Sequence, residues 1–334
     1  MTQPSTEWNF VLRGFSPADI PAMVEIFNEV YPDEPTTVES EEHWERTYPQ
    51  GNPRVRLVAE TVDGRMVGLG DCMRPFWLAA SDVYSLFIAV PARWRRHGIG
   101  QALLTKLEPF AWAQGAERIH TDCREDFADA IRFLERAGYT RVGIRFESRL
   151  DLEAFDETRF AEVFERVAQA GYALTTLAAE RSVQPDADRM LYDLYHETVI
   201  EVPLPGGVHI DQSYDTWRSG VLESPTTDPA GIFIARWGDR FVGMTSLELL
   251  KDGPAITSMT GVAPEHRGHG LALALKLLSF RYLKEHGYRE TRAHNDTANP
   301  PILRLNEKLG YQRLPGWLVW EKPAPRQTTT AAPG

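Results

Sequence analysis

One stretch of this chain occurs twice. IAVPARWRRHGIGQALL begins at Ile88 and TGVAPEHRGHGLALALK at Thr260, and Gly98 and Gly270 stand 172 residues apart. The same offset puts Val90 on Val262, Arg95 on Arg267, His97 on His269, Ala102 on Ala274 and Leu103 on Leu275. It still holds at Gly115 and Gly287, at Glu135 and Glu307, and at Gly138-Tyr139 and Gly310-Tyr311. A register kept without a gap from Val90 to Tyr139 means two copies of one fold. With 334 residues the chain has room for two cores of ordinary size.

Each copy gives the same order of elements. An early strand (10–13; 173–177) leads into helical, partly acidic sequence. A hairpin follows, with Asp63-Gly64 or Gly238-Asp239 between apolar runs, as tight hairpins require. A third strand (83–90; 255–262) runs into the repeated arginine-glycine loop and then an amphipathic helix (100–114; 271–286). That helix stops at Gly115 or Gly287, a residue type suited to the left-handed C-cap. A short strand, a second helix ending at Gly138 or Gly310, and closing strands from Tyr139 and Tyr311 complete the unit. Antiparallel strands followed by strand-helix-strand units predict an α+β sheet. The expected division is an N-terminal domain over 1–150, a linker helix over 151–171, a C-terminal domain over 172–325 and a disordered tail over 326–334. Phe160, Val163, Phe164 and Val167 recur at helical spacing, so the linker is expected to pack between the halves.

Charge and composition exclude several classes. With 47 Asp and Glu against 36 Lys and Arg, the net charge of −11 disfavours nucleic acid and suits a cationic small molecule. No apolar run has the length of a membrane span, and Met1 to Trp8 lacks the basic start and apolar middle of a signal peptide. The expectation is a cytoplasmic protein with no membrane contact. Two cysteines, Cys72 and Cys123, make neither a disulfide framework nor a zinc site, so no metal is expected.

The loop has a physical use. Small residues at Gly98 and Gly100, or at Gly268, Gly270 and Ala272, let a ligand approach the backbone with no side chain in the way. The amides that open the following helix have no intrahelical partner and carry the positive end of its dipole, which suits a pyrophosphate. Arg95, Arg96 and Arg267 add positive charge. A dinucleotide fold is the competing reading. It requires a third small residue where Leu103 and Leu273 stand, and a Walker-type G-K-S/T is absent.

Both loops, with their helices and Gly-Tyr endings, resemble the GNAT (GCN5-related N-acetyltransferase) family over nearly the whole chain. The tandem arrangement is similar to that of mycothiol synthase. The resemblance implies two GNAT-like domains, each a mixed, mostly antiparallel twisted sheet flanked by helices, with central strands that splay. Acetyl-CoA would lie in the split, its pyrophosphate on the loop and its pantetheine arm beside the preceding strand. The contacts implied are Ile88, Ala89 and Val90 with Arg96, His97, Gly98, Ile99, Gly100 and Gln101. In the second copy they are Thr260, Gly261 and Val262 with Gly268, His269, Gly270, Leu271, Ala272 and Leu273.

Acetyl transfer to an amine needs a base for the nucleophile's proton, help for the carbonyl oxyanion and a proton for the leaving thiolate. The family's asparagine at the start of the last helix is matched by Asn299, but by Phe127 in the first copy. Its thiolate-protonating tyrosine is replaced by Leu134 and Asn306, which leaves the acid unassigned. For the base, the family position holds Asp122 and His294, and Glu248 could act through water. The expectation is catalysis in the second half, with His294 or Glu248 as base, while the first half binds CoA or only scaffolds. Eight carboxylates and no lysine or arginine between Glu25 and Glu45 suggest an acidic rim for a cationic amine, and the 201–215 loop suggests a lid. The alternative is a non-catalytic acyl-CoA binder with both halves degenerate. A small-molecule amine is the expected partner, and a monomer or weak homodimer the expected state.

Overall fold

The computed structural model describes residues 9–80, 82–296 and 299–325. The polar start at Met1–Trp8 and the tail expected to be disordered lie outside the described residues. The first half runs β1 (Phe10–Gly14), α1 (Ile20–Val30), α2 (Val38–Thr47), β2 (Arg54–Thr61), β3 (Met66–Met73), β4 (Val83–Ala89), α3 (Ile99–Ala113), β5 (Arg118–Arg124), α4 (Ala128–Arg136) and β6 (Thr140–Asp151). After α5 (Glu162–Gln169) the order returns as β7 (Tyr172–Thr176), α6 (Leu177–Arg181), α7 (Ala187–Val199), α8 (Tyr214–Trp217), β8 (Ile232–Trp237), β9 (Arg240–Leu249) and β10 (Ala255–Val262). It closes with α9 (Leu271–Glu285), β11 (Glu290–Asp296), α10 (Pro300–Leu309), β12 (Gln312–Arg313) and β13 (Trp317–Pro323). The α+β expectation holds, with two copies of the GNAT order of elements.

Among the described residues all thirteen strands join one sheet, in the order β1-β2-β3-β4-β5-β13-β6-β11-β10-β9-β8-β7, with β12 beside β6. The closing strands are exchanged. β13 lies against β5 of the first half, and β6 lies against β11 of the second. Val319 faces Asp122 and Glu147 faces His294, two pairs related by the 172-residue offset. Trp317 faces Arg145, a pair that the offset maps onto itself, so a pseudo-twofold axis passes there. Residues 140–151 therefore complete the second half's sheet and 317–323 the first's. The halves are consecutive in sequence and interlocked in space.

Each half packs helices on both faces. Leu103, Leu104 and Leu107 of α3 cover Tyr84, Leu86 and Ile119, and Ala274, Leu275 and Leu277 of α9 do the same over Ala235, Val242 and Ala255. Helix α9 is apolar nearly all round and α3 on one side only, for a visible reason. Phe160, Val163 and Val167 from the linker segment are buried against α9 and β7, so Leu273 is covered where its counterpart Gln101 faces water. Burying each of these side chains contributes about 1.5–3 kcal/mol. The linker thus belongs to the second half's core and does not sit between the halves. Its helix is also shorter than expected, a 3₁₀ turn over Glu157–Phe160 followed by α5.

Candidate active site

The parallel pair β4–β5 bonds only at Val83–Arg118, Tyr84–Ile119 and Ser85–His120, and β10–β11 only at Ala255–Thr291, Ile256–Arg292 and Thr257–Ala293. Beyond those points the strands diverge. Ile88 and Ala89, like Thr260, Gly261 and Val262, then have a sheet neighbour on one side only, which leaves an edge for an extended ligand. In the second half the divergence coincides with a bulge between Thr257 and Met259, whereas β3 and β4 pair without a shift. A bulge re-aims backbone groups where pairing ends.

The two loops share one geometry. Arg96 and Gly98 have φ of 67° and 83°, Gly268 and Gly270 both 84°, and Gly98 and Gly270 are the N-caps of α3 and α9. The first bonds inside these helices run from Ala102 N to Gly98 O (2.9 Å) and from Ala274 N to Gly270 O (3.0 Å). The amides just upstream therefore point out of the helix end. Arg95 and Arg267 do something other than wait for phosphate. Each donates Nε to the strand-end carbonyl, Val90 O or Val262 O, at 3.0 Å, and so latches the loop. Arg267 also pairs with Glu201 at 2.6 Å. His269 is exposed beside Tyr172, and His97 is half-buried. Leu271 is buried, and Ala272 begins the helix beside it.

In the first half the expected contacts converge. A cavity of about 400 Å³ is lined by Ile88, Ala89, Val90, Arg95, Arg96, Gly98, Ile99, Gly100 and Gln101, all of the first-copy set except His97. Its inner end is aromatic. Tyr31 stacks on Phe127 (5.8 Å, 17°) and meets Trp317 of the exchanged strand at 5.2 Å. Burial pushes the Tyr31 hydroxyl up to about 12. No signal in the sequence marks Tyr31 or Trp317 for this site, whereas Trp217 and Trp320 are buried in the cores. Only the strand exchange brings Trp317 here, and nothing local in the sequence signals that.

The second half carries more polar chemistry at the same place. Glu248, Ile256 and Arg292 face one another across β9, β10 and β11, so their side chains share one sheet face. Two strand spacings put Glu248 about 10 Å from Arg292. His294, two residues on, points to that face just past the split. Burial alone raises the Glu248 carboxyl above its usual range. The recess around His294 and the nearby Arg145, Arg292 and Arg124 hold its imidazole down at about 4, although the ring reaches solvent. Neutral His294 can accept a hydrogen bond. Beneath them Glu147 is fully buried and held by Arg292 at 3.1 Å and Arg124 at 3.6 Å.

Asn299 is the N-cap of α10 as expected. Asn306, in the tyrosine position, is buried and donates to Asn295 Oδ1 at 2.6 Å, and Asn295 donates to Ser148 at 2.8 Å. It ties α10 to β11 and the exchanged β6. Two sequence expectations about the acceptor side change. Three of the eight carboxylates in the acidic run are engaged within the protein: Glu45 pairs with Arg54 and Arg56, Glu29 with Arg93, and Glu41 accepts from Thr36. The 201–215 loop is docked and is no lid. Ala79 N donates to His209 O (3.1 Å), Asp211 N to Trp77 O (2.9 Å) and Arg118 to Gly206 O (2.8 Å).

The model of the acetyltransferase (GNAT) family matches residues 20–139 and again 190–311. The chain belongs to this family. It is a tandem member, and an N-acetyltransferase by that membership. Among curated relatives it is similar to a mycothiol acetyltransferase of Thermomonospora curvata, 32% identical over 69% of this chain and 71% of the relative. Another, from Thermobifida fusca, is 26% identical over 70% and 71%. Two solved structures share the whole fold. A tandem GNAT protein from the clavulanic acid biosynthesis pathway has a TM-score of 0.68 at 19% identity, covering 95% of this chain and 99% of its own. A GCN5-related N-acetyltransferase from Sphaerobacter thermophilus has 0.65 at 22%, covering 96% and 97%. Among the described residues no helix is long and apolar enough to cross a membrane.

Proposed function

We propose that the chain transfers the acetyl group of acetyl-CoA to the primary amine of a small molecule by direct attack in a ternary complex, in the second half. The supporting observation is the asymmetry at the two splits. Glu248, His294 and Asn299 stand at one, whereas Asp122, Phe127 and the Tyr31–Trp317 stack stand at the other. The amine must reach the thioester neutral. Glu248 takes its proton as the nitrogen bonds to the carbonyl carbon, and the carbon–sulfur bond breaks to release CoA thiolate. Neutral His294 orients the amine by accepting a hydrogen bond. The bulge at Thr257–Met259 re-aims backbone groups toward the developing oxyanion. The thiolate takes its proton from solvent, because Asn306 is committed to Asn295.

The first half binds CoA along its loop and cleft without turnover, its acyl end walled by aromatic rings. The acceptor is a small, cationic amine by the chain's net charge, and the names of the relatives add a mycothiol-type acceptor as a narrower candidate. The protein acts as a monomer or weak dimer in the cytoplasm. A thiol-release assay with a panel of primary amines tests the assignment. Glu248→Gln should lower kcat by roughly 10²–10⁴, and Asp122→Asn by less than about threefold. Equal losses at both sites would move the chemistry away from the second half. CoA binding with no turnover on any amine favours the non-catalytic reading.

A further inference from the structure

The exchange of closing strands is matched by an exchange of loops on the opposite face of the sheet. The loop after α7 crosses to the first half. Pro205 lies over Gly143, where an added Cβ would stand 2.5 Å from its Cβ, and Gly206 lies against His120 in the same way. His120 is the counterpart of Arg292 at the 172-residue offset, so backbone seals the first half's acceptor floor. The corresponding loop after α1 crosses the other way. Pro35 packs on Gly253 in the turn between β9 and β10, with its Cδ 3.0 Å from where a Cβ would be. Asn28 holds that loop by both backbone groups of one residue, donating to Thr36 O at 3.1 Å and accepting from Thr36 N at 2.9 Å. Between these anchors the crossing loop brings a side chain and not bare backbone: Glu34.

We propose that the acceptor site of the second half is composite, and that Glu34, supplied by the first half, is a specificity-determining residue that binds the polar group of the acceptor amine opposite Glu248. The inference rests on the proposed second-half chemistry. Glu34 Oε1 is shielded from solvent and accepts no hydrogen bond, although two arginines stand in the same basin. A buried carboxyl oxygen without a donor is uncommon in native proteins, and a ligand ammonium or hydroxyl satisfies it. The groups acting on it come from four strands: Glu147 on β6, Arg124 on β5, Arg292 on β11 and Glu248 on β9. Burial, Glu147 and Glu248 outweigh the two guanidiniums and push Glu34 up to about 7. The carboxyl is thus able to meet a neutral amine or an ammonium with one proton shared between them. Of the two arginines, Arg292 bonds Glu147 at 3.1 Å and Arg124 stands 3.6 Å from its other oxygen, which also accepts no hydrogen bond, and neither bonds Glu34 Oε1, so the basin holds acceptors for an incoming donor.

The test separates binding from turnover. Ethanolamine, putrescine, glucosamine and cysteine are titrated calorimetrically into the full-length protein saturated with desulfo-CoA, in wild type, Glu34→Gln and Glu34→Asp. The expected result is at least tenfold weaker amine binding in Glu34→Gln, with partial recovery in Glu34→Asp. Desulfo-CoA affinity should stay unchanged in both and Tm should not fall, which a merely structural role for Glu34 would not allow. Amine affinity within twofold of wild type in Glu34→Gln overturns the proposal, and so does failure of the wild type to bind any of the four amines. If Glu34→Gln weakens binding but wild type turns over none of them, the composite site stands and the transferase reading of the second half falls.

Discussion

Lys276 occupies on α9 the place that Leu104 holds on α3, and it is buried as completely as the leucine. Its ammonium is drawn down from 10.5 to about 7 by loss of water alone. The Tyr311 ring centroid, 5.0 Å from Nζ, returns part of that loss as a cation–π contact of about 0.5–2 kcal/mol. The fall from 10.5 to about 7 corresponds to about 5 kcal/mol of destabilisation once the amine is fully protonated, and on the order of 4 kcal/mol near neutral pH. The sign follows from proton counting. Between pH 7 and 10.5 the unfolded chain binds the proton that the folded chain gives up, so wild-type stability rises with pH across that window. Lys276→Met keeps the shape and removes the charge. Urea denaturation at about pH 7 and about pH 9.5 should find the variant more stable by several kcal/mol at the lower pH and by about 1 kcal/mol at the higher. A variant less stable than wild type at neutral pH, or a difference that ignores pH, refutes the desolvation argument.

Two further predictions follow from the interlocked sheet and the repurposed asparagine. Truncation after Leu314 removes β13 from between β5 and β6, so hydrogen exchange should increase in β5 of the first half as well as in β6; protection retained in β5 would mean that the closing strands are not exchanged. Asn306→Ala leaves Asn295 without its amide donor in a buried site and should cost about 1–3 kcal/mol in urea denaturation, with kcat within about threefold of wild type. A large loss of kcat with unchanged stability would instead make Asn306 part of the chemistry.

The elements and loops were legible because their signals are local. Asp63-Gly64 and Gly238-Asp239 set the hairpins, and Gly98 and Gly270 accept the positive φ that the loop turn needs. The exchange of β6 and β13 was not legible, because a closing strand has the same pattern whichever sheet it joins. With it went the position of Trp317 and the crossing of the 201–215 loop, whose local sequence suggests a lid. The docking of α5 did leave a trace. LALALKLLSF is apolar but for Lys276 and Ser279, whereas α3 shows Gln101, Thr105 and Lys106 to water, and a helix buried nearly all round needs a second cover. Arg95 and Arg267 mark another limit, since loop arginines that suit phosphate also bond the loop's own carbonyl. Of the base candidates, residue type suits histidine, whereas the three arginines around the solvent-reaching His294 help to hold its imidazole down and burial raises the Glu248 carboxyl.

The central claim is that both loops hold the same ligand and only the second holds it for chemistry. Gly98→Val and Gly270→Val impose the same backbone strain, about 1–2 kcal/mol for a branched residue at φ of 83° and 84°, but an added Cβ at Gly270 also stands 3.3 Å from Val163 Cγ2, whereas nothing lies within 4 Å of one at Gly98. Urea denaturation of both variants therefore accompanies the assay, so that a loss of fold is not read as a loss of turnover. Thiol release from acetyl-CoA, measured on both variants against the best amine, should fall at least a hundredfold for Gly270→Val and stay within threefold for Gly98→Val. The reverse pattern, or equal loss in both, contradicts the claim.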